Sequence, residues 1–95
     1  MTPVEIRLRA ASLIEERGWT QEEFEGPGGQ LCALGAILVA ANEPMGRSTS
    51  WGTTAATEAV TLIEDELDVV DLSNWNDAPA RTQAEVVAAL RGQLS

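Results

Sequence analysis

Apolar side chains at Ile6, Ala10, Leu13 and Ile14 recur at spacings of three and four, the period of one helix face. Thr2-Pro3-Val4-Glu5 ahead of them reads as a start. Thr2 can cap, Pro3 suits the first helical position, and Glu5 completes a capping box. Gly18 after Arg17 is a natural stop, so a helix is expected over about 3–17. Trp19 to Gln30 reads as a connection. Gly26-Pro27-Gly28-Gly29 cannot hold a regular element, and Glu22, Glu23 and Glu25 are expected in solvent. Thr20 and Glu23 repeat the capping-box spacing, which allows one turn of helix over 20–24, with Trp19 and Phe24 folded back on the core.

Leu31 to Ala41, LCALGAILVAA, carries no charged side chain. It is too short to cross a bilayer, which takes roughly 20 apolar residues. Its Ala and Gly content argues against a buried strand. A helix apolar on all sides belongs at the centre of a fold, wrapped by its neighbours. Gly35 within it costs about 1 kcal/mol against Ala, so close approach of another backbone is expected there. A second loop runs from Asn42 to Gly52. A third helix is expected from Thr53 or Thr54 to about Leu67, then a polar turn from Leu72 to Pro79 anchored by Trp75. Thr82 and Glu85 form another capping box, which opens a fourth helix through Val86, Val87, Leu90 and Leu94. The expected fold is all-α: one domain over 1–95, a bundle of four main helices around the apolar helix at 31–41.

Composition then narrows the function. Fifteen acids against six bases give a formal charge of -9, and every base is Arg, which reads as the codon bias of a GC-rich genome. Such a chain is repelled by nucleic-acid phosphates and by anionic membranes, and favours a basic protein partner. The start, MTPVEIRLRA, lacks the charged-then-apolar layout of a signal peptide. A single Cys makes no intrachain disulfide. The expectation is a cytoplasmic protein, of the host cell if a phage encodes it.

The chain contains no His. Ser-His-Asp and Cys-His machinery is therefore excluded from this chain alone, as is zinc held by Cys and His, and no catalytic, cofactor or metal residue is assigned. Cys32 at a helix start reads either as a thiolate nucleophile or as a small buried residue, the second being preferred. Glu64-Asp65-Glu66, with Asp68 and Asp71, lies against the negative end of a helix dipole, at a cost of about 0.3–1 kcal/mol each. No base falls between Arg47 and Arg81. The cluster reads as a solvated face relieved by Arg81 or Arg91 folding back, as a docking patch, or as a cation site. The alternating calcium-loop pattern is absent. Asn76 and Asp77 read as caps for neighbouring amides, with Trp75 locking the loop on the core.

Leu31-Cys32-Ala33-Leu34-Gly35-Ala36, then Trp75-Asn76-Asp77 and Arg81-Thr82-Gln83-Ala84-Glu85-Val86, resembles a family of small proteins from actinobacteria and their phages, catalogued as a domain of unknown function. Its pattern is a first helix ending near Gly-Trp, then C-L-x-G-A, then N-D and T-x-x-E-V before a last helix. The resemblance implies no reaction. It marks Cys32, Gly35, Asn76, Asp77 and Thr82 as a signature whose chemistry suits packing and capping.

The reading these observations support is a small acidic, non-enzymatic accessory or regulatory protein acting through protein contacts, with a host protein as target in a phage setting. Its expected surface is Glu64, Glu66, Asp68 and Asp71 with Trp51 or Trp75; a homodimer is also open. A small-molecule binder or enzyme with a pocket near Cys32 and Asn76 or Asp77 is the alternative, and a nucleic-acid mimic the second.

Overall fold

The computed structural model describes residues 2–42 and 55–94. The second loop from Glu43 onward, Trp51 and the expected start of the third helix at Thr53 or Thr54 lie outside the described residues. Five helices follow in order: α1 (Pro3–Arg17), α2 (Ala33–Ala40), α3 (Ala55–Leu67), α4 (Leu72–Asn76) and α5 (Gln83–Leu90). The all-α expectation holds. Among the described residues the only β features are two isolated bridges, Trp19 with Leu31 and Glu25 with Leu31.

Each boundary has a chemical cause. The Thr2 hydroxyl accepts the Glu5 amide and the Glu5 carboxylate accepts the Thr2 amide, closing the box that opens α1. Thr82 and Glu85 repeat the arrangement at α5. The expected extension of α5 to Leu94 is overturned. Gly92 at φ +74 reverses the chain, and the Gln93 amide returns to the Ala88 carbonyl, ending the helix at Leu90. α3 ends by the same motif, with Asp68 at φ +57 where a glycine is usual and the Val69 amide on the Glu64 carbonyl. The expected polar turn after it is in part a short helix: the Asp71 carboxylate accepts the Ser73 and Asn74 amides and opens α4. The optional helical turn over 20–24 does not form. Glu22 sits at φ +67, and the Thr20 hydroxyl donates to the Glu23 side chain instead.

Ala33, Gly35, Ala36, Ile37, Leu38 and Ala40 of α2 are buried, against Ile6, Ala10, Leu13 and Ile14 of α1, Ile63 of α3 and Val86 and Leu90 of α5. α1 packs against α2, α3 and α5, and α2 also meets α3 and α4. α2, with no exposed residue, is the central element, and α1, which exposes its outer face, is its main partner. Alanines supply much of the core, which lets the helix axes approach closely with few large side chains. Among the described residues no helix is long and apolar enough to cross a membrane.

One charged side chain belongs to this interior. Arg7 of α1 is 7% exposed. Its guanidinium makes a bidentate pair with Glu66 of α3 at 2.6 and 2.7 Å, and donates to the Ala89 and Leu90 carbonyls at the end of α5 at 3.1 Å. One side chain therefore joins three helices and reaches two carbonyls at the end of α5, of which Ala89 also accepts the Gly92 amide. Neither Arg81 nor Arg91 relieves Glu66: Arg81 pairs with Glu85 and Arg91 with Glu15.

The hydrogen bonds from Arg7 hold the Glu66 carboxyl below the usual carboxylate range. A depressed folded-state pKa stabilises the fold above the unfolded value, about 4.3, and that contribution disappears as pH falls through the folded value. Glu66→Gln should therefore cost about 1–2 kcal/mol at neutral pH, reduced by the half-exposure of Glu66. The gap to the wild type should close in acid. Urea unfolding followed by Trp fluorescence across a pH series checks this; a gap independent of pH would contradict it.

Candidate functional site

The segment between α1 and α2 doubles back on itself. The Thr20 amide donates to the Leu31 carbonyl, the Leu31 amide to Gly18, and the Cys32 amide to Phe24. This fold-back brings the loop against the start of α2 and leaves room for one side chain from α4 to serve both.

That side chain is Asn76, which is fully buried. Its Oδ1 accepts the Trp19 indole N–H at 2.7 Å and the Ala33 amide at 3.0 Å. Its Nδ2 donates to the Thr20 carbonyl at 3.2 Å and to the Asp77 carboxylate at 2.9 Å. All four hydrogen-bonding positions of the carboxamide are used, which is the condition for burying it without a large penalty. Nearby, the Gln21 side-chain amide donates to the Asn76 and Ala78 carbonyls. The expectation for Asn76 was local capping; its partners instead lie 43 to 57 residues away in sequence, apart from Asp77. Asp77 also holds the Glu22 amide, at 2.8 Å, fixing the loop where its backbone turns left-handed.

Cys32 is the cap residue of α2. Its sulfur accepts the Gly35 amide at 3.2 Å, the position an Asn or Ser oxygen more often fills. Gly35 is required by the same contact: a Cβ there would overlap the Phe24 carbonyl oxygen that receives the Cys32 amide. Four of the five signature residues, Cys32, Gly35, Asn76 and Asp77, therefore gather where α2 begins and α4 ends. Thr82 does not join them; it caps α5.

Cys32 is 4% exposed, yet it is not enclosed on every side. Cys32 lines a cleft of about 270 Å³ together with Glu22, Glu23, Phe24, Ser73 and Asp77. Among the described residues no basic side chain borders it. Burial, together with the neighbouring Asp77 charge, pushes the Cys32 thiol above its ordinary range against the pull of the Gly35 and Leu34 amides. A helix start would favour a thiolate; here burial outweighs it, and the thiol is neutral at physiological pH. Among the described residues no group of three or more carboxylate or thiol side chains is placed to hold a metal ion. A second depression, of about 390 Å³, lies between α1 and α5, and its one cation, Arg91, is already taken by Glu15.

The acids around the α3–α4 turn do not form one uniform patch. Glu66 is tied to Arg7, Glu64 accepts the Leu72 amide at 2.8 Å, and Asp71 caps α4. Trp75 packs against the core with the Arg81 guanidinium over its ring, 4.0 Å from the centroid. Asp65 and Asp68 are exposed and have no side-chain partner among the described residues. Beside them Val70 is 97% exposed. Arg7 and Trp19 were the functional side chains that sequence reasoning missed as partners. The one signal was an Arg inside the apolar period of α1.

Comparison with known families gives one match: the model of a family of unknown function (DUF6197) covers residues 1–92. No curated protein and no solved structure matches the chain.

A neutral, capped thiol has a kinetic signature. In the native protein at pH 8, Cys32 should react with a bulky alkylating reagent slower than in denaturant by about two orders of magnitude or more, because reaction waits for local opening. Mass spectrometry of timed aliquots measures it, and rapid modification without unfolding would assign Cys32 a chemical role instead.

Proposed function

The chain belongs to the DUF6197 family of unknown function, and we propose that it is a small acidic, non-enzymatic accessory or regulatory protein that works by docking on a basic protein partner. A phage or prophage setting, with a cytoplasmic host protein as target, follows from the sequence resemblance to actinobacterial and phage proteins.

The observation that carries the reading is the turn between α3 and α4. Arg7, Arg17, Arg81 and Arg91 are each engaged in an ion pair within the chain, so these cations are not offered outward. Asp65 and Asp68 remain unneutralised, and Val70 stands almost fully in solvent between Asp68 and Asp71. An apolar knob bordered by carboxylates fits a small apolar socket edged with Lys or Arg. Burying Val70 would supply about 1.5 kcal/mol, and the carboxylates would steer the encounter. Glu64, Glu66 and Asp71 support the turn from inside, and Trp75 stiffens α4. Trp51 contributes no argument.

The non-enzymatic reading is supported by the missing His and by the neutral Cys32 thiol, beside which no cationic side chain lies among the described residues. A small-molecule site remains the second reading, favoured by the cleft that Cys32 and Asp77 share.

The test separates docking from folding by leaving the internal acids untouched. Asp65→Lys, Asp68→Lys and Val70→Ser together should leave the helical circular dichroism unchanged. The same variant should lose the partner that the wild-type chain captures from host lysate, with affinity down by about two orders of magnitude. Cross-links from the wild type should map to residues 65–70. A partner held equally by the variant would refute this surface.

A further inference from the structure

The cleft beside α4 is a groove with a neutral floor and a charged rim. The floor is the Cys32 thiol and the half-buried Phe24; the rim is Glu22, Glu23 and Asp77, with Ser73 as a hydroxyl at one side. Among the described residues no Arg borders it, and the three carboxylates have no ion-pair partner. One Asp77 oxygen is committed to the Glu22 and Asn76 N–H groups, and one Glu23 oxygen to Thr20; the other oxygens of these two, and both of Glu22, have no partner among the described residues.

We propose that this groove receives a single arginine side chain of the protein partner, its aliphatic stem lying on Cys32 and Phe24 and its guanidinium meeting the Glu22, Glu23 and Asp77 rim. The inference rests on the docking reading above and adds to it a second contact, lined by Ser73 and Asp77.

Three features select this occupant. Carboxylates at a groove where no described residue supplies a cation call for a positive charge, which burial beside an apolar wall would strengthen. The carboxylates are spread around the rim rather than converging as a metal would need, so a broad, planar cation fits better than a point charge. Phe24 and the neutral thiol suit an aliphatic stem.

N-acetyl-arginine amide and its neutral isostere, N-acetyl-citrulline amide, titrated into the full ¹⁵N-labelled chain, test the groove directly. The arginine probe should shift the Phe24, Cys32, Gly35 and Asp77 amides saturably, and the citrulline probe should bind roughly tenfold more weakly or worse. Glu22→Gln with Glu23→Gln, which removes charge but no backbone contact, should weaken the arginine probe by a similar factor. Equal binding of both probes, shifts located elsewhere, or no saturable shift from arginine would each overturn the proposal. If the arginine probe fails while the Asp65, Asp68 and Val70 variant still loses its partner, the groove is wrong and the docking turn stands. If the probe binds and no partner depends on that turn, the groove stands and the docking turn is wrong.

Discussion

The arrangement depends on one buried carboxamide. Asn76 lies in a five-residue helix that could not hold itself in place, because isolated helices of that length are unstable in water. It is fixed by its four hydrogen bonds to the loop after α1, the start of α2 and Asp77. Reading the dependence the other way, Trp19 has its indole N–H satisfied and Ala33 has one of the orphan amides of α2 satisfied only because Asn76 is there. A buried polar group with every position filled specifies one arrangement more sharply than an apolar side chain of similar size, since any shift leaves donors unpaired.

The chain also uses charge twice, in opposite ways. Arg7 and Glu66 join α1 to the ends of α3 and α5, with the Arg7 fork donating to carbonyls at the end of α5. Outside, the acids exceed the arginines, and those without an ion pair among the described residues include Asp65 and Asp68 at the α3–α4 turn and Glu22, Glu23 and Asp77 around the cleft. The two uses explain why adjacent acids in Glu64-Asp65-Glu66 have different fates: Glu64 and Glu66 turn toward Leu72 and Arg7, and Asp65 turns to solvent. Treating the five acids of that region as a single patch would mix supports with contacts.

How much of this could be read from the chain follows from the range of each interaction. Thr2 with Glu5 and Thr82 with Glu85 are local, and both capping boxes stand where the letters put them. The end of α1 was legible in Gly18, and the need for Gly35 in its position inside an apolar helix. The early stop of α5 was marked by Gly92, but Leu94 continued the apolar period and masked it. The end of α3 carried no glycine at all, because Asp68 takes the left-handed position. Short range also hid α4, whose cap Asp71 was read as one more acid. The clasp of Asn76 and the partners of Arg7 span more than forty residues, and no periodicity reports a contact of that kind. The cleft at Cys32 came from the same long-range closure: a sulfur can be buried by its own helix and still form the floor of a groove built by two other segments.

Hydrogen exchange of the Trp19 indole proton, followed by NMR in the native chain, bears most directly on the buried carboxamide. If Asn76 holds the fold as described, that proton exchanges only through global opening, as slowly as the slowest amides of α1 and α2, and Asn76→Ala brings its rate close to that of a free indole. An indole proton that already exchanges freely in the wild type, with the fold intact, would contradict the central place given to Asn76.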